Sequence, residues 1–441
     1  MKAQRKAEAM LERLFHLSAH QTNVRTELLA GATTFLTMAY ILVVNPLILA
    51  DAGMDFGAVF TATALSSVIA ILVMAFMANL PFALAPGMGL NAFFAYTVVL
   101  AMGHSWQFAL TAVFLEGILF VLLTLLNVRE AILNSIPTNI KKAISVGIGL
   151  FIAFIGLVNA GLVVKPEAPK LPVELGDVTQ GGALLALVGL IVTGVLLARK
   201  VRGALLIGIV ASTIIGIPLG VTVLPENFRL LSAPPRPHLF AFDFAGIFTM
   251  DMAIVLATLL FVDLFDTVGT LIGVSTKAGL LDNEGRLPQA KPALFADAVG
   301  TTIGACLGTS TVTTYVESAS GVAEGGRTGL TALATGALFF VALFFSSLFA
   351  IIPGAATAPA LVLVGLFMMS PIMEIDLHDF TEAVPAFLTM IMMPLTYSIA
   401  EGIVFGVVSY ALLKLLSGRG KEVHPVTYTI AFLFVLKFLL G

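Results

Sequence analysis

Charge and cysteine are what this sequence has least of. Only 11% of its 441 residues are Asp, Glu, Lys or Arg, against about 25% in an ordinary soluble domain. A chain so poor in charge cannot clothe a water-facing surface of its own size, which argues against the soluble globular class. Cys306 is the single cysteine, so there is no intrachain disulfide and no cysteine-based metal site. Acids and bases nearly cancel, at a net charge of −3. No basic run interleaved with aromatics offers a nucleic-acid surface, so no nucleic-acid partner is expected. His104, His238 and His378 fall in loops without metal-ligand spacing, and no metal is expected. There is no His-Glu-x-x-His run, and none of the Gly-x-Gly-Asp wording that an intramembrane aspartyl protease requires. Peptidase chemistry has no support, and the chain does not read as an enzyme.

What is present is apolar sequence: 59% of the residues are hydrophobic and the mean hydropathy is +1.03. That composition belongs to a chain that crosses a bilayer many times, with lipid as its main partner. About 20 residues cross as helix. Apolar runs between polar breaks place spans 1 and 2 near 28–49 and 58–79, then span 4 near 106–126. Spans 5 to 7 lie near 138–162, 182–198 and 203–221, and spans 8 and 9 near 252–274 and 292–307. Spans 11 to 14 lie near 328–352, 355–373, 383–399 and 401–417. Two irregular apolar stretches, 82–101 and 308–325, are segments 3 and 10. The sequence thus predicts an all-α polytopic membrane protein of fourteen segments. The last run, 426–440, is short for a span and suits the interface. The first 26 residues lack a signal-peptide pattern, so no cleaved leader is expected. Met10, Leu11, Leu14 and Phe15 form one stripe of a short interfacial helix, or belong to a solvated tail.

Charge placement orients the spans. With the N-terminus inside, the outer loops hold only Lys165, Lys170, Arg229 and Arg236. Lys437 has no assigned side, and every other Lys and Arg falls inside, including Arg129, Lys141, Lys142, Arg199, Lys200 and Arg202. This positive-inside bias predicts cytoplasmic N- and C-termini and a multi-pass protein of the cell (inner or plasma) membrane.

The two halves look alike. Ile136-Pro137 is followed by Gly149-Leu150, and Ile352-Pro353 by Gly365-Leu366, at the same spacing. Ala62–Ile69 in span 2 echoes Ala296–Ile303 in span 9. The offset is seven spans, and seven is odd, so the second repeat is expected to be inverted. Inverted repeats are a transporter architecture, with the cargo site near the midplane where paired helices break. Segments 3 and 10 break at equivalent places. One holds Pro81 and Pro86-Gly87-Met88-Gly89-Leu90-Asn91, and the other a β-branched run followed by Gly321, Gly325 and Gly326. Each is expected as a short strand plus a half helix. Such backbone survives at membrane depth only when buried in protein or lining a cavity.

Acid at that depth costs about 2.5–3.5 kcal/mol per Asp on insertion scales and marks cargo or proton paths. Asp263 and Asp266 sit three apart on span 8, hence on one helix surface, and Glu317 sits in segment 10. Two neighbouring carboxylates resist double ionisation, which suits holding a proton. Glu116 and Asp297 are expected in structural places, the first in a helix–helix hydrogen bond and the second at an interface.

Four stretches carry a family resemblance: Ala85–Phe94, Phe261–Thr270, Gly308 through Gly321, and Pro385–Ile399. Together they closely resemble the AzgA-like purine permeases of the nucleobase–ascorbate transporter superfamily, from about Arg25 to about Lys421. The resemblance implies proton-coupled purine uptake, no cofactor beyond the coupling proton, and a homodimer formed through gate domains. It implies a core domain at 27–127 and 223–352 and a gate domain at 128–222 and 353–441, after an N-terminal segment at 1–26. Carried over by position, its functional acids fall on Asp266 and Glu317, and its essential Asn on Asn91. On this reading Glu317, Asp266 and Asn91 bind the base, with Phe93, Phe265 and Tyr315 as candidate stacking rings. Asp266 and Glu317 carry the proton, with Asp263 as relay or structural partner. The Asp-Leu-Phe-Asp-Thr-Val-Gly-Thr wording at 263–270 looks more like guanine/hypoxanthine than adenine permeases. Adenine preference, or an anion exchanger of the same broad fold, is the alternative.

Overall fold

The computed structural model describes residues 2–126, 137–166, 172–224, 230–282 and 287–440. The chain begins with a helix, α1 (Lys2–Phe15), whose Phe15 is buried while Met10 and Leu14 stay exposed. Span 1 is two helices, α2 (Val24–Met38) and α3 (Ile41–Asp51), that join at Ala39 and Tyr40. Next come α4 (Phe56–Val73), which runs on as a π-helical turn to Ala78, the strand β1 (Leu84–Pro86), and the half helix α5 (Met88–Ala92). A π-helical stretch, Phe93–Ala101, completes segment 3. It is followed by α6 (Trp106–Leu125), α7 (Thr138–Asn159), the two-residue strands β2 (Val163–Val164) and β3 (Glu174–Leu175), α8 (Gly181–Ala198) and α9 (Ala204–Gly216).

The second half holds α10 (Met250–Ala278), α11 (Ala290–Leu307), β4 (Val312–Thr314) and the six-residue α12 (Ser318–Ala323). After these come α13 (Gly329–Ala342), α14 (Ser346–Phe349), α15 (Gly354–Met368), α16 (Phe380–Thr396), α17 (Ile399–Leu416) and α18 (Pro425–Leu440). Among the described residues, nine helical stretches are long and apolar enough to cross a membrane, and three more apolar helices are shorter.

Side-chain caps place many helix starts. Asn23, Asp55, Ser105, Thr249, Asp379 and Ser398 each accept a backbone N–H of the first turn that follows, satisfying donors that a helix leaves orphaned. The buried Glu27 does this across the fold. Its carboxylate accepts from Arg327 N at 2.9 Å, Thr331 N at 3.1 Å and the Thr328 and Thr331 hydroxyls at 2.8 and 2.7 Å, so α2 closes the entry to α13.

Helices α2, α4, α6, α11 and α13 pack among themselves, as do α7, α15, α16 and α17. The second group meets through the two glycines that the repeat singled out. A Cβ on Gly149 would lie 2.6 Å from the Gly365 carbonyl oxygen, and one on Gly365 would lie 2.4 Å from that of Gly149. The contact is reciprocal: each backbone presses on the other where a side chain would stand.

Candidate functional site

Segments 3 and 10 meet as an antiparallel pair. Leu84 lies opposite Thr314, Ala85 opposite Thr313 and Pro86 opposite Val312. Prolines at 81 and 86 hold the residues before them extended, and Val312-Thr313-Thr314 is β-branched and suited to a strand. Gly87 N donates to Thr311 O at 2.9 Å, and Tyr315 N to Ala83 O at 2.9 Å. The Tyr315 hydroxyl donates to Pro86 O at 2.5 Å. Backbone groups that would cost several kcal/mol if left unpaired in lipid are thus satisfied where the two segments meet. The half helices α5 and α12 leave from this short ladder.

Beside the ladder lies a cavity of about 680 Å³. Tyr40, Asp266, Thr313, Tyr315 and Glu317 line it from one side. Ile144, Ser145 and Ile148 of α7 and Val364, Phe367 and Met368 of α15 line it from the other, with Lys141, Lys142, Ser370 and Pro371 at one end. A small molecule in it would lie between an acidic, hydrogen-bonding wall and an apolar one. Such a lining, with few polar groups set in apolar surface, is usual for small-molecule sites.

The acids divide by role. Glu317 is half-buried at the start of α12, and Tyr40 Oη donates to its Oε1 at 2.7 Å. Asp266 is also half-buried on the cavity wall. Asp263, one turn earlier on α10, is wholly buried and looks elsewhere. The Thr267 hydroxyl lies 3.1 Å from Asp263 Oδ1, 2.8 Å from Asp297 Oδ1 and 2.7 Å from Thr313 Oγ1. One hydroxyl hydrogen cannot serve three oxygens, so further protons, from Thr313 or from a carboxyl, complete this cluster. Asp297 was expected at an interface. It is instead fully buried on α11 and faces α10, where the Thr267 hydroxyl donates to it and so offsets its burial. Glu116 was expected in a helix–helix hydrogen bond; it instead accepts at 2.5 Å from Thr311 Oγ1, on the non-helical stretch just before β4.

Asn91 is fully buried and stands off the cavity wall. Ser310 Oγ donates to its Oδ1, and its Nδ2 reaches Pro86 O at 3.5 Å. It therefore ties α5 to the residues before β4. Asn45 does similar work, donating to Thr63 Oγ1 at 2.7 Å and to Thr309 Oγ1 at 2.9 Å. Phe93 is buried in the core, away from the cavity. The Phe265 side chain lies outside the described residues. Of the three stacking candidates, Tyr315 alone is placed on the cavity wall among the described residues. Tyr40 and Asn45 went unread in the sequence. Their signal was a polar side chain at the middle of span 1, as informative there as an acid.

A family model described as "Permease family" matches residues 25–405. An adenine permease of Escherichia coli, AdeP, is 45% identical over 98% of this chain and 97% of its own length. A guanine/hypoxanthine permease of Bacillus subtilis, PbuG, is 46% identical over 97% of this chain and 99% of its own. Among solved structures, the transmembrane domain of the cyanobacterial bicarbonate transporter BicA aligns with a TM-score of 0.67 at 17% identity, covering 87% of this chain and 97% of that one. At that identity the likeness concerns the fold.

Proposed function

Because this chain belongs to the permease family matched at 25–405, within the nucleobase–ascorbate transporters that its motifs resemble, we propose that it carries a purine nucleobase into the cell together with a proton. The supporting observation is the pair Asp266 and Glu317 on one wall of the cavity, opposite an apolar wall. Carboxylates accept hydrogen bonds, and 6-oxopurines present N–H donors at the pyrimidine edge and the imidazole ring. Adenine presents a ring nitrogen acceptor where these have N1–H. The acid pair therefore favours guanine and hypoxanthine, in line with the wording at 263–270. Identity does not discriminate, being 45% to the adenine permease and 46% to the guanine/hypoxanthine permease. Two acids on the wall also disfavour an anion as cargo, since the cavity's lysines lie at its mouth.

On this reading fourteen segments form two inverted repeats, which the reciprocal Gly149–Gly365 contact and the β1–β4 pair both suit. Core and gate follow the boundaries given above, the gate domains pair two copies, and both termini are cytoplasmic. The cavity mouth at Lys141 and Lys142 is then the inner one. At the far end of α7, Asn159 Nδ2 donates to Tyr96 Oη at 3.1 Å, and Tyr96 Oη donates to Asp51 Oδ2 at 2.7 Å, closing the outer side. Uptake of labelled hypoxanthine into proteoliposomes tests the proposal. Accumulation should follow an inward proton gradient and be competed by guanine more than by adenine or uracil. Accumulation unchanged when the gradient is collapsed sinks proton coupling, and adenine outcompeting guanine reverses the preference.

A further inference from the structure

Tyr40 and Glu317 are far apart in sequence, yet the end of α2 and the join that follows it hold the start of α12 at two points. Thr37 Oγ1 lies 2.9 Å from Ser320 Oγ, and three residues on Tyr40 Oη donates to Glu317 Oε1 at 2.7 Å. Just past the Thr37–Ser320 contact the backbones nearly touch: a Cβ on Gly321 would stand 2.2 Å from Thr34 Oγ1 and 2.7 Å from Ala30 O. Residues 34, 37 and 40 repeat every three positions and so share a face of the chain they ride on. Tyr40 is 1% exposed, so its hydroxyl has little freedom. It ends at the cavity, which it lines beside Glu317.

We infer that Tyr40 is a positioning residue for nucleobase recognition: it holds one carboxylate oxygen of Glu317, so that the other is presented to the cargo in a fixed direction. The inference deepens the transport reading and rests on it. A Glu side chain has three rotatable bonds, and ordering it costs free energy at the moment of binding unless the protein has ordered it already. A charge-assisted hydrogen bond from a buried phenol does that ordering in advance. Loss of the hydroxyl leaves the ring packed and the carboxylate free to swing, which weakens binding without altering the steps that follow it.

The test is equilibrium binding of labelled hypoxanthine to the purified full-length protein, with uptake kinetics in proteoliposomes. Tyr40→Phe should weaken binding about tenfold and raise KM by a similar factor, with maximal rate within about twofold of wild type. Glu317→Asp draws the carboxylate back by one methylene, out of reach of the phenol. In that background Tyr40→Phe should cost nothing further. Unchanged affinity in Tyr40→Phe, or an equal loss with and without Glu317→Asp, overturns the inference. Should Tyr40→Phe not insert, 3-fluorotyrosine placed at position 40 keeps the packing. Its ¹⁹F resonance should move on Glu317→Gln and on addition of hypoxanthine, and a resonance that ignores both overturns it. Wild-type protein that binds no purine would overturn the transport reading as well, whereas wild-type binding that Tyr40→Phe leaves intact sinks this inference alone.

Discussion

At the scale of single residues, chemistry follows from where each acid faces. Glu317 and Asp266 meet the cavity, while Asp263 meets Thr267 in the interior. Their three-residue spacing on one helix could not separate them, because that depends on which neighbour supplies a hydroxyl. Glu317→Gln keeps the volume and removes an acceptor, so it should cut uptake at least a hundredfold while the protein still inserts. Proteoliposome uptake beside a thermal melt checks this, and near-normal uptake refutes a binding role. Asn91 gives the opposite signature. It braces α5 against Ser310 and stands off the wall, so Asn91→Ala should lower stability by about 1–3 kcal/mol through the hydrogen-bond partners it strands, and lower affinity only as a consequence. The sequence made Glu317 and Asp266 legible because an acid within an apolar span is costly, and Tyr315 legible as a ring within the broken segment 10. It left Tyr40 and Asn45 unread because one hydroxyl or amide in an apolar run resembles many others.

At the scale of elements, the segment boundaries were legible to within a few residues, since apolar length and side-chain caps both fix them. The join in span 1 at Ala39 and Tyr40 was not: no glycine or polar break announces it there. The repeated glycines were legible as a pattern but not as a contact. Gly149→Ala or Gly365→Ala should destabilise by about 1–3 kcal/mol or more, because the new methyl would meet backbone rather than a yielding side chain. A double variant costing less than the sum would identify one shared contact. One end of this helix group, near Asn159, is held by hydrogen bonds and the other by ions. Thr381 and then Arg419 hold Asp379 down to about 2, and Arg419 with Lys414 holds Glu422 to about 2. Since unfolded carboxylates titrate near 4, this support is fully present above that range and fades as pH falls towards 2. Hydrogen exchange at residues 379–383 and 414–423 should stay slow at pH 4 and quicken on further acidification. Arg419→Ala should quicken exchange there already above pH 4 and shrink the further quickening on acidification, and exchange unchanged at both would remove Arg419 from the account.

At the scale of the whole molecule, the cavity reaches one end of α7 while the Asp51–Tyr96–Asn159 chain spans the other. With Cys306→Ser as background, Ser145→Cys should react with membrane-impermeant thiol reagents from the Lys141 side, and more slowly with hypoxanthine present. Labelling only from the opposite side would reverse the orientation. The pairing of β1 with β4 bears on how such a chain is made. The two strands lie about 230 residues apart, and a ribosome adding about 5–20 residues per second takes roughly ten to fifty seconds to cover that gap. For that interval the first strand waits at bilayer depth with its amides and carbonyls unanswered, after the helices around it have inserted. The cavity beside this ladder is therefore among the later features to assemble during synthesis. A nascent chain halted before residue 312 should display a backbone edge that an insertion chaperone can hold and the finished protein cannot.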